Sequence, residues 1–311
     1  MRIASTVPMA TPPGLVHVRG GTFRMGTSQF PWAQPVRTVI VSDRYFGANL
    51  VTNAEYRNHA AREAQLPPYA LQAQLADGST AIWARGTDPA QLMAEHHTRV
   101  DYHAVRGLKI IAEAEDASLV VPSPRGFDEP TQPVVCVTWE EALRYCQRYA
   151  AQLTESTGQR WVGRLPTEAE WEHAARAGRT GDKVAGTDTG KVEQRDGTPS
   201  GYNAHWNGRG DVFTTAPVGS YTPNAFGLYD MAGNAWEWCM DRYVDGYHHI
   251  AEGAVDPTGP ASGEHRVVRG GSWAFDNAER LLAGGRNCSR PADRSKKVGF
   301  RVVVWPEDLK A

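Results

Sequence analysis

The densest set of oxygen ligands in the sequence lies in Gly227-Leu228-Tyr229-Asp230-Met231-Ala232-Gly233-Asn234-Ala235-Trp236-Glu237-Trp238. Asp230 and Glu237 supply two carboxylates, and the intervening Gly233 and Ala235 can turn backbone carbonyls inward. An oxygen-only set of this kind suits a hard cation such as calcium. Ordinary turn capping by Asp230 is the structural alternative. Asn203-Ala204 with Asp211-Val212-Phe213 offers a second, sparser set of the same chemistry. Soft ligands are scarce: Cys136, Cys146, Cys239 and Cys288 show no CxxC spacing, which predicts reduced and mostly buried thiols. The histidine clusters are His96-His97 with His103, and His248-His249. On a helix His96 and His103 would share a face, yet Glu95, Thr98, Arg99 and Asp101 around them read as a solvated segment rather than a metal site.

Those ligands need elements to hold them. Thr-x-x-Glu recurs at Thr52 to Glu55, Thr138 to Glu141 and Thr167 to Glu170, and each fits a capping box that starts a helix. After Thr138, Trp139, Ala142, Leu143, Cys146, Tyr149 and Ala150 repeat at helical spacing. After Thr167, Trp171, Ala174 and Ala175 do the same, with Gly178 as a stop. Val16-His17-Val18, the run from Gly20 to Gly26, and Val36 to Val41 read as paired strands. Residues 1–13 read as a tail and 14–311 as one domain, within which 65–130 form a loop-rich lobe. Beyond Gly178 no long helical period is visible, and no repeat of fixed length occurs.

Composition narrows the partners. Thirty-three Lys+Arg against 35 Asp+Glu leave a net charge of -2, so neither nucleic acid nor an acidic membrane is expected as a partner. The 31 Gly, 20 Pro and 10 Trp predict a loop-rich fold with broad apolar surfaces to cover. No apolar run approaches membrane-span length, and the opening residues lack a signal-peptide core, so a cytoplasmic location is the expectation.

Seven motifs in order carry a resemblance: Gly20-Gly21-Thr22-Phe23-Arg24-Met25-Gly26, Val51-Thr52-Asn53-Ala54-Glu55-Tyr56, Pro133-Val134-Val135-Cys136-Val137-Thr138-Trp139, Arg164-Leu165-Pro166-Thr167-Glu168-Ala169-Glu170-Trp171-Glu172, the block at 227–238, Arg269-Gly270-Gly271-Ser272-Trp273, and Gly299-Phe300-Arg301. Together they resemble the formylglycine-generating enzyme (sulfatase-modifying factor) family. The resemblance implies a single, irregular, loop-rich α+β domain related to the C-type lectin fold. It also implies two structural calcium sites: the Asn203 side chain, Ala204 carbonyl, Asp211 side chain and Phe213 carbonyl in one, and Asp230, the carbonyls of Gly233 and Ala235, and Glu237 in the other.

The catalytic comparison points the other way. Family members that oxidise a sulfatase cysteine to formylglycine bind copper(I) through two cysteines, three and eight residues after the serine of Gly-Gly-Ser. From Ser272 these offsets fall on Phe275 and Arg280, neither of which replaces a thiolate, and Cys288 alone cannot give two-coordinate copper. Copper and formylglycine generation are therefore not expected, although Ser272 and Trp236 match the family's pocket positions.

Other branches of the family frame the alternatives. One builds a three-histidine iron site with a helical bundle that this chain lacks; another acts in the oxidative maturation of secreted pigments. A third resembles the variable proteins of diversity-generating retroelements, whose stretch between Gly-Gly-Ser-Trp and Gly-Phe-Arg is rewritten at adenines. Many residues of 274–297 can arise that way from Asn codons, whereas Lys296 and Lys297 need another template codon, so diversification and simple drift both stay open. The resulting expectation is a non-catalytic, calcium-stabilised protein binding an unidentified protein or small molecule through 274–297, with Trp236, Ser272, Trp273, Phe275, Arg280, Arg286 and Arg290 at the face. The alternative is an oxygen-dependent oxidoreductase using another metal or cofactor in the same cleft.

Overall fold

A computed structural model describes residues 11–63, 71–74, 80–83, 108–110, 123–124, 126–181, 192–193, 199–200, 204–205, 213–274 and 278–308. The chain divides into a larger unit, residues 1–54 with 122–311, and a smaller one, residues 55–121. Residues 122–130, grouped above with the loop-rich lobe, therefore belong to the larger unit.

The opening strands are β1 (Leu15–Val18), β2 (Gly21–Met25), β3 (Arg37–Val41) and β4 (Arg44–Gly47). Helix α1 (Asn53–Glu63) leads into the smaller unit, where β5 (Leu71–Gln74), β6 (Thr80–Trp83) and β7 (Leu108–Ile110) form an antiparallel sheet in the order β6-β5-β7. Helix α2 (Trp139–Thr157), β8 (Trp161–Arg164) and helix α3 (Glu168–Arg176) return the chain to the larger unit. A short antiparallel pair, β9 (Val192–Glu193) with β10 (Pro199–Ser200), precedes β11 (Trp236–Arg242), β12 (Ala254–Val255), β13 (Arg266–Arg269), β14 (Arg286–Ser289), β15 (Val298–Gly299) and β16 (Val303–Pro306).

Among the described residues, three sheets of three or four strands join the β9–β10 pair in the larger unit. The first, β1-β4-β16-β8, is antiparallel throughout. The second, β14-β13-β11-β15, is antiparallel except for the parallel β11–β15 pair. The third, β12-β3-β2, pairs β2 with β3 antiparallel and β12 with β3 in parallel. Of the three strands expected near the N-terminus, β2 and β3 pair with each other, while β1 pairs with β4.

Both long-range helix anchors begin where local chemistry requires. Thr138 and Thr167 each accept a backbone N–H through the side chain, from Glu141 and Glu170, whose own carboxylates bond back to the capping residue. Helix α3 stops one residue earlier than Gly178: Ala177 takes the left-handed conformation (φ 47°) and donates its N–H to the His173 carbonyl. Helix α2 rides directly on β8, because a Cβ on Gly163 would stand 2.4 Å from the Cys146 carbonyl oxygen. Only glycine permits that approach.

All nine residues of α3 are buried, including Glu168, Glu170 and Glu172. Buried carboxylates demand cations. Glu170 bonds Arg164 of β8 at 2.6 Å and Arg44 of β4 at 2.9 Å. Glu168 and Glu172, one turn apart on another face, bond Arg286 of β14 at 2.7 Å, Arg176 at 2.7 Å and Arg269 of β13. The helix is thus fastened to the first sheet by one carboxylate and to the second by two others. Three tryptophans, Trp171, Trp236 and Trp238, fill the space around it. Among the described residues no helix is long and apolar enough to cross a membrane.

Candidate functional site

Glu237 opens the site from β11. Its two oxygens accept from Arg301 Nε at 2.9 Å, Arg301 Nη2 at 2.7 Å and Trp171 Nε1 at 2.8 Å, all buried. Arg301 also donates to the carbonyls of Gly47, Ala48 and Tyr229, so it ties β11 to the loop that carries Asp230. That loop turns through Asp230, Gly233 and Asn234 at φ 54°, 77° and 60°. At Gly233 the conformation and the space both matter, since a Cβ would meet the His205 carbonyl oxygen at 2.5 Å.

Asp230 is buried, and one oxygen accepts the Gly219 N–H at 2.8 Å. Burial, helped by the charge of Glu237, pushes its carboxyl up to about 6. Close by, the Asn49 side-chain oxygen lies 3.3 Å from where a Cβ on Gly219 would stand, buried and with no hydrogen-bond donor. Asp230 also accepts from the Asn234 side chain and both Glu237 oxygens are taken by Arg301, so the oxygen left over at this loop among the described residues is that of the Asn49 amide, a ligand of the kind a hard cation takes. Among the described residues no three His, Cys, Asp or Glu side chains converge.

The other candidate calcium segment meets this one. His205 forms a parallel bridge to Gly233 and accepts the Asn234 N–H at 2.8 Å, which brings Ala204, itself buried, against the 230–237 loop. Phe213 is 73% exposed. Asn203 and Asp211 lie outside the described residues, as do Phe275 and the histidines at 96, 97 and 103.

The Gly-Gly-Ser-Trp turn follows β13. Gly270 and Gly271 (φ 96° and 78°) leave no room for side chains, a Cβ on Gly271 falling 2.8 Å from Leu281. They lead to Ser272, fully buried, whose hydroxyl has no hydrogen-bond partner among the described residues. Trp273 then emerges. Its N–H bonds the Asn234 carbonyl, its indole N–H donates to the Lys296 carbonyl at 3.0 Å, and its ring lies 5.4 Å from that of Phe127. The Lys296 ammonium sits 5.6 Å from the Phe127 ring centre. Half-buried Trp273 and exposed Lys296 thus make an aromatic and cationic rim over buried Phe127, with exposed Arg290 on the same stretch.

Three residues expected at the face are not there. Arg286 is 1% exposed, because its guanidinium neutralises Glu168 and donates to the carbonyls of Trp32 and Val244. Trp236 and Ser272 are likewise sealed in the core. Arg280 is half-buried; it stacks on Trp32 at 5.2 Å and donates to the Arg286 carbonyl, so it braces the stretch from below. Phe127 was not picked out from the sequence, its only signal being an aromatic residue in Arg125-Gly126-Phe127-Asp128. Arg301 belonged to a quoted motif but received no role there.

The cysteines do not form a copper pair. Cys146 and Cys239 are buried with thiols pushed far up by burial, and burial pushes Cys136 up to about 11. Cys288 on β14 and Cys239 on β11 are separated by β13, about 9–10 Å across the sheet, too far for two thiolates on one ion.

An irregular mixed sheet system with few helices, a paired-glycine turn and a buried Glu–Arg–Trp cluster defines an α+β domain of the formylglycine-generating-enzyme and C-type-lectin-like kind. Residues 2–305 match the sulfatase-modifying factor enzyme 1-like domain, and the chain belongs to that family. It is 31% identical to a formylglycine-generating enzyme of Thermomonospora curvata, covering 96% of each chain. The solved structure of PvdO from Pseudomonas aeruginosa superposes with a TM-score of 0.60 at 27% identity, over 93% of both chains. Treponema denticola variable protein 1 shares the fold, with a TM-score of 0.61 at 23% identity over 94% of this chain and 95% of that one.

Proposed function

We propose that the chain is a non-catalytic, calcium-stabilised binding member of its family. The observation that carries this reading is the chemistry after Ser272: Phe275 and Arg280 stand at the offsets where the catalytic relatives place copper thiolates. The binding face is the rim of Trp273, Lys296 and Arg290, with Phe275 next in sequence, and its ligand is a protein or small molecule. Large aromatic and arginine side chains are the usual anchors of such faces. The likeness to a variable protein accords with a face whose residues change while the frame persists. A reverse transcriptase gene beside an imperfect copy of this gene's 3′ end would make it a diversified face.

Asp230, Glu237 and the carbonyls of Gly233 and Ala235 would hold one calcium ion, and Asn203, Asp211 and the carbonyls of Ala204 and Phe213 another. Calcium would supply the charge that pins these loops. Elemental mass spectrometry of protein purified without chelator is expected to find stoichiometric calcium with neither copper nor iron. A chelator is expected to lower the melting temperature and added calcium to restore it, the gain being about 4 kcal/mol at a thousandfold excess over Kd. Stoichiometric copper or iron, or indifference to chelation, defeats the reading.

The face is tested separately. Phe275→Ala with Arg290→Ala is expected to weaken partner capture at least tenfold at an unchanged melting temperature, and capture that survives both changes places the face elsewhere.

One observation supports a second reading. The Ser272 hydroxyl is buried without a hydrogen-bond partner among the described residues, a costly arrangement unless something engages it. In an oxygen-dependent oxidoreductase it would contact a substrate or cofactor. Aerobic turnover of a thiol, phenol or catechol that disappears in Ser272→Ala would establish that reading, and silence across such a panel with folded protein would remove it.

A further inference from the structure

We propose that the open edge of β2, with the groove beside it, binds a short extended peptide of uncharged residues. The groove includes none of Trp273, Phe127, Lys296 or the proposed calcium ligands, so it is separate from the face described above.

The hydrogen bonds of the third sheet leave that edge unpaired. β2 ends the order β12-β3-β2, so one side of it meets β3 and the other meets no described strand. Along a strand, successive residues turn their N–H and C=O to opposite sides. On β3 the Thr38 and Ile40 carbonyls accept from Gly253 and Asp256, beside β12, and the Thr38 N–H goes to Glu252. Arg37, Val39 and Val41 are left to bond their partners Met25, Phe23 and Gly21 on β2. Thr22 and Arg24 therefore turn their N–H and C=O outward, and among the described residues no hydrogen-bond partner meets them there. These two residues stand about 7 Å apart, the two-residue repeat of a strand.

The protein closes both ends of this window itself. His173 Nε2 bonds the Arg19 carbonyl at 2.9 Å, and Gly26 gives its N–H to Glu172 and its carbonyl to Arg176, both at 2.8 Å. Room for an added strand lies between: the groove measures about 630 Å³, within the range of small-molecule sites. Gly178, Arg179, Thr180 and Gly181 line it from the chain beyond α3, and the two glycines put no side chain in the way. Arg176 also donates to the Gly181 carbonyl at 2.8 Å. One guanidinium thus spans both rims, and little ordering is left for a ligand to impose.

The lining decides the kind of peptide. Its charges are already spent: Glu172 neutralises Arg176, Glu252 lies within electrostatic reach of Arg24, and Arg179 is engaged elsewhere. Thr22, Ser28 and Thr180 bring exposed hydroxyls that no described residue engages, each able to donate or accept. Phe23, half-buried beside His173 with ring centres 5.2 Å apart, gives an apolar contact on the face of β2 opposite Thr22 and Arg24. A strand added to an open edge takes its affinity from main-chain bonds and its specificity from alternate side chains. Apolar residues alternating with threonine or serine fit this edge.

The test titrates the full chain into a fluorophore-labelled, amidated Thr-Val-Thr-Val-Thr peptide and follows anisotropy. Saturable one-site binding is expected. Two further peptides carry N-methyl groups, one on the threonines and one on the valines. Only one of these sets can point its N–H groups at β2, so one peptide should bind at least tenfold more weakly and the other within about twofold of the parent. Arg24→Pro deletes an outward N–H while sparing the bonds to β3, a substitution that edge strands tolerate. It is expected to weaken binding at least tenfold at an unchanged melting temperature, and Thr180→Trp, which fills the groove from an exposed position, to do the same. No saturable binding, equal loss with both methylated peptides, or binding unchanged in both variants would each overturn the proposal.

Discussion

Replacing Glu172 with alanine is expected to lower the free energy of unfolding by about 3–5 kcal/mol, the range seen when one partner of a buried ion pair is removed. Glu172 is wholly buried. Its Oε1 accepts from Arg176 Nε and Nη2 and from the Gly26 N–H, each within 2.8 Å, and its Oε2 accepts from Arg269. The alanine variant leaves two arginines and a backbone N–H without their acceptor in a space water does not enter. Glu172→Gln keeps the shape and one acceptor, and should lose less. An exposed pair such as Arg160 with Glu307 gives the contrast, being worth about 1 kcal/mol or less. Urea titration at constant m-value measures the difference; a loss under about 1 kcal/mol in Glu172→Ala would mean the network does not hold α3 as described.

Asp241→Asn is expected to do the reverse and stabilise the protein at pH 8. Asp241 is buried beside α3, with one oxygen accepting the Glu168 N–H at 2.8 Å. Burial first, and then the charge of Glu168, push its carboxyl up to about 7 from an ordinary 3.8. The folded chain therefore keeps a proton that the unfolded chain releases between those values. Its contribution to stability falls as pH rises through that window and is fully lost above pH 7, on the order of 3–4 kcal/mol. Asparagine retains the acceptor and does not ionise. Glu170 acts with the opposite sign: burial pushes it up, but Arg164 and Arg44 outweigh burial and hold it at about 2. Its stabilisation is present above its ordinary 4.5 and is lost as pH falls toward 2. Urea midpoints of both proteins from pH 4 to pH 8 should diverge with rising pH. Parallel curves would show that Asp241 does not carry the dependence.

The elements legible from sequence are those set by neighbours. The boxes at Thr138 and Thr167 need only three residues of spacing, and β2 with β3 announce themselves by β-branched runs close together. Asp230 and Glu237 share one short, continuous block, and the fold keeps both buried on it. What failed was depth. Arg286 reads from sequence as an exposed anchor, since a lone arginine in a polar stretch gives no hint that Glu168, 118 residues away, will draw it inward. Trp236 and Ser272 were identified by motif, which specifies residue type and order but says nothing of solvent. Phe127 joins Trp273 only through the fold. The helix ends at Ala177, whose N–H satisfies the His173 carbonyl, and Gly178 continues the left-handed turn at φ 80°.

The anchoring of α3 also constrains how such a chain can drift across generations. Loss of Glu168, Glu170 or Glu172 alone strands buried arginines, and loss of Arg164, Arg269 or Arg286 alone leaves a buried carboxylate with a single remaining cation, Arg44 for Glu170, Arg176 for Glu172 and Arg269 for Glu168, so each single step is costly. The network is shared rather than paired, each carboxylate being held by two arginines, so compensation for one change needs more than one other. Arg290, by contrast, is exposed, and its side chain forms none of these buried ion pairs. The cost of a single substitution therefore falls steeply within a few residues, from buried Arg286 to exposed Arg290.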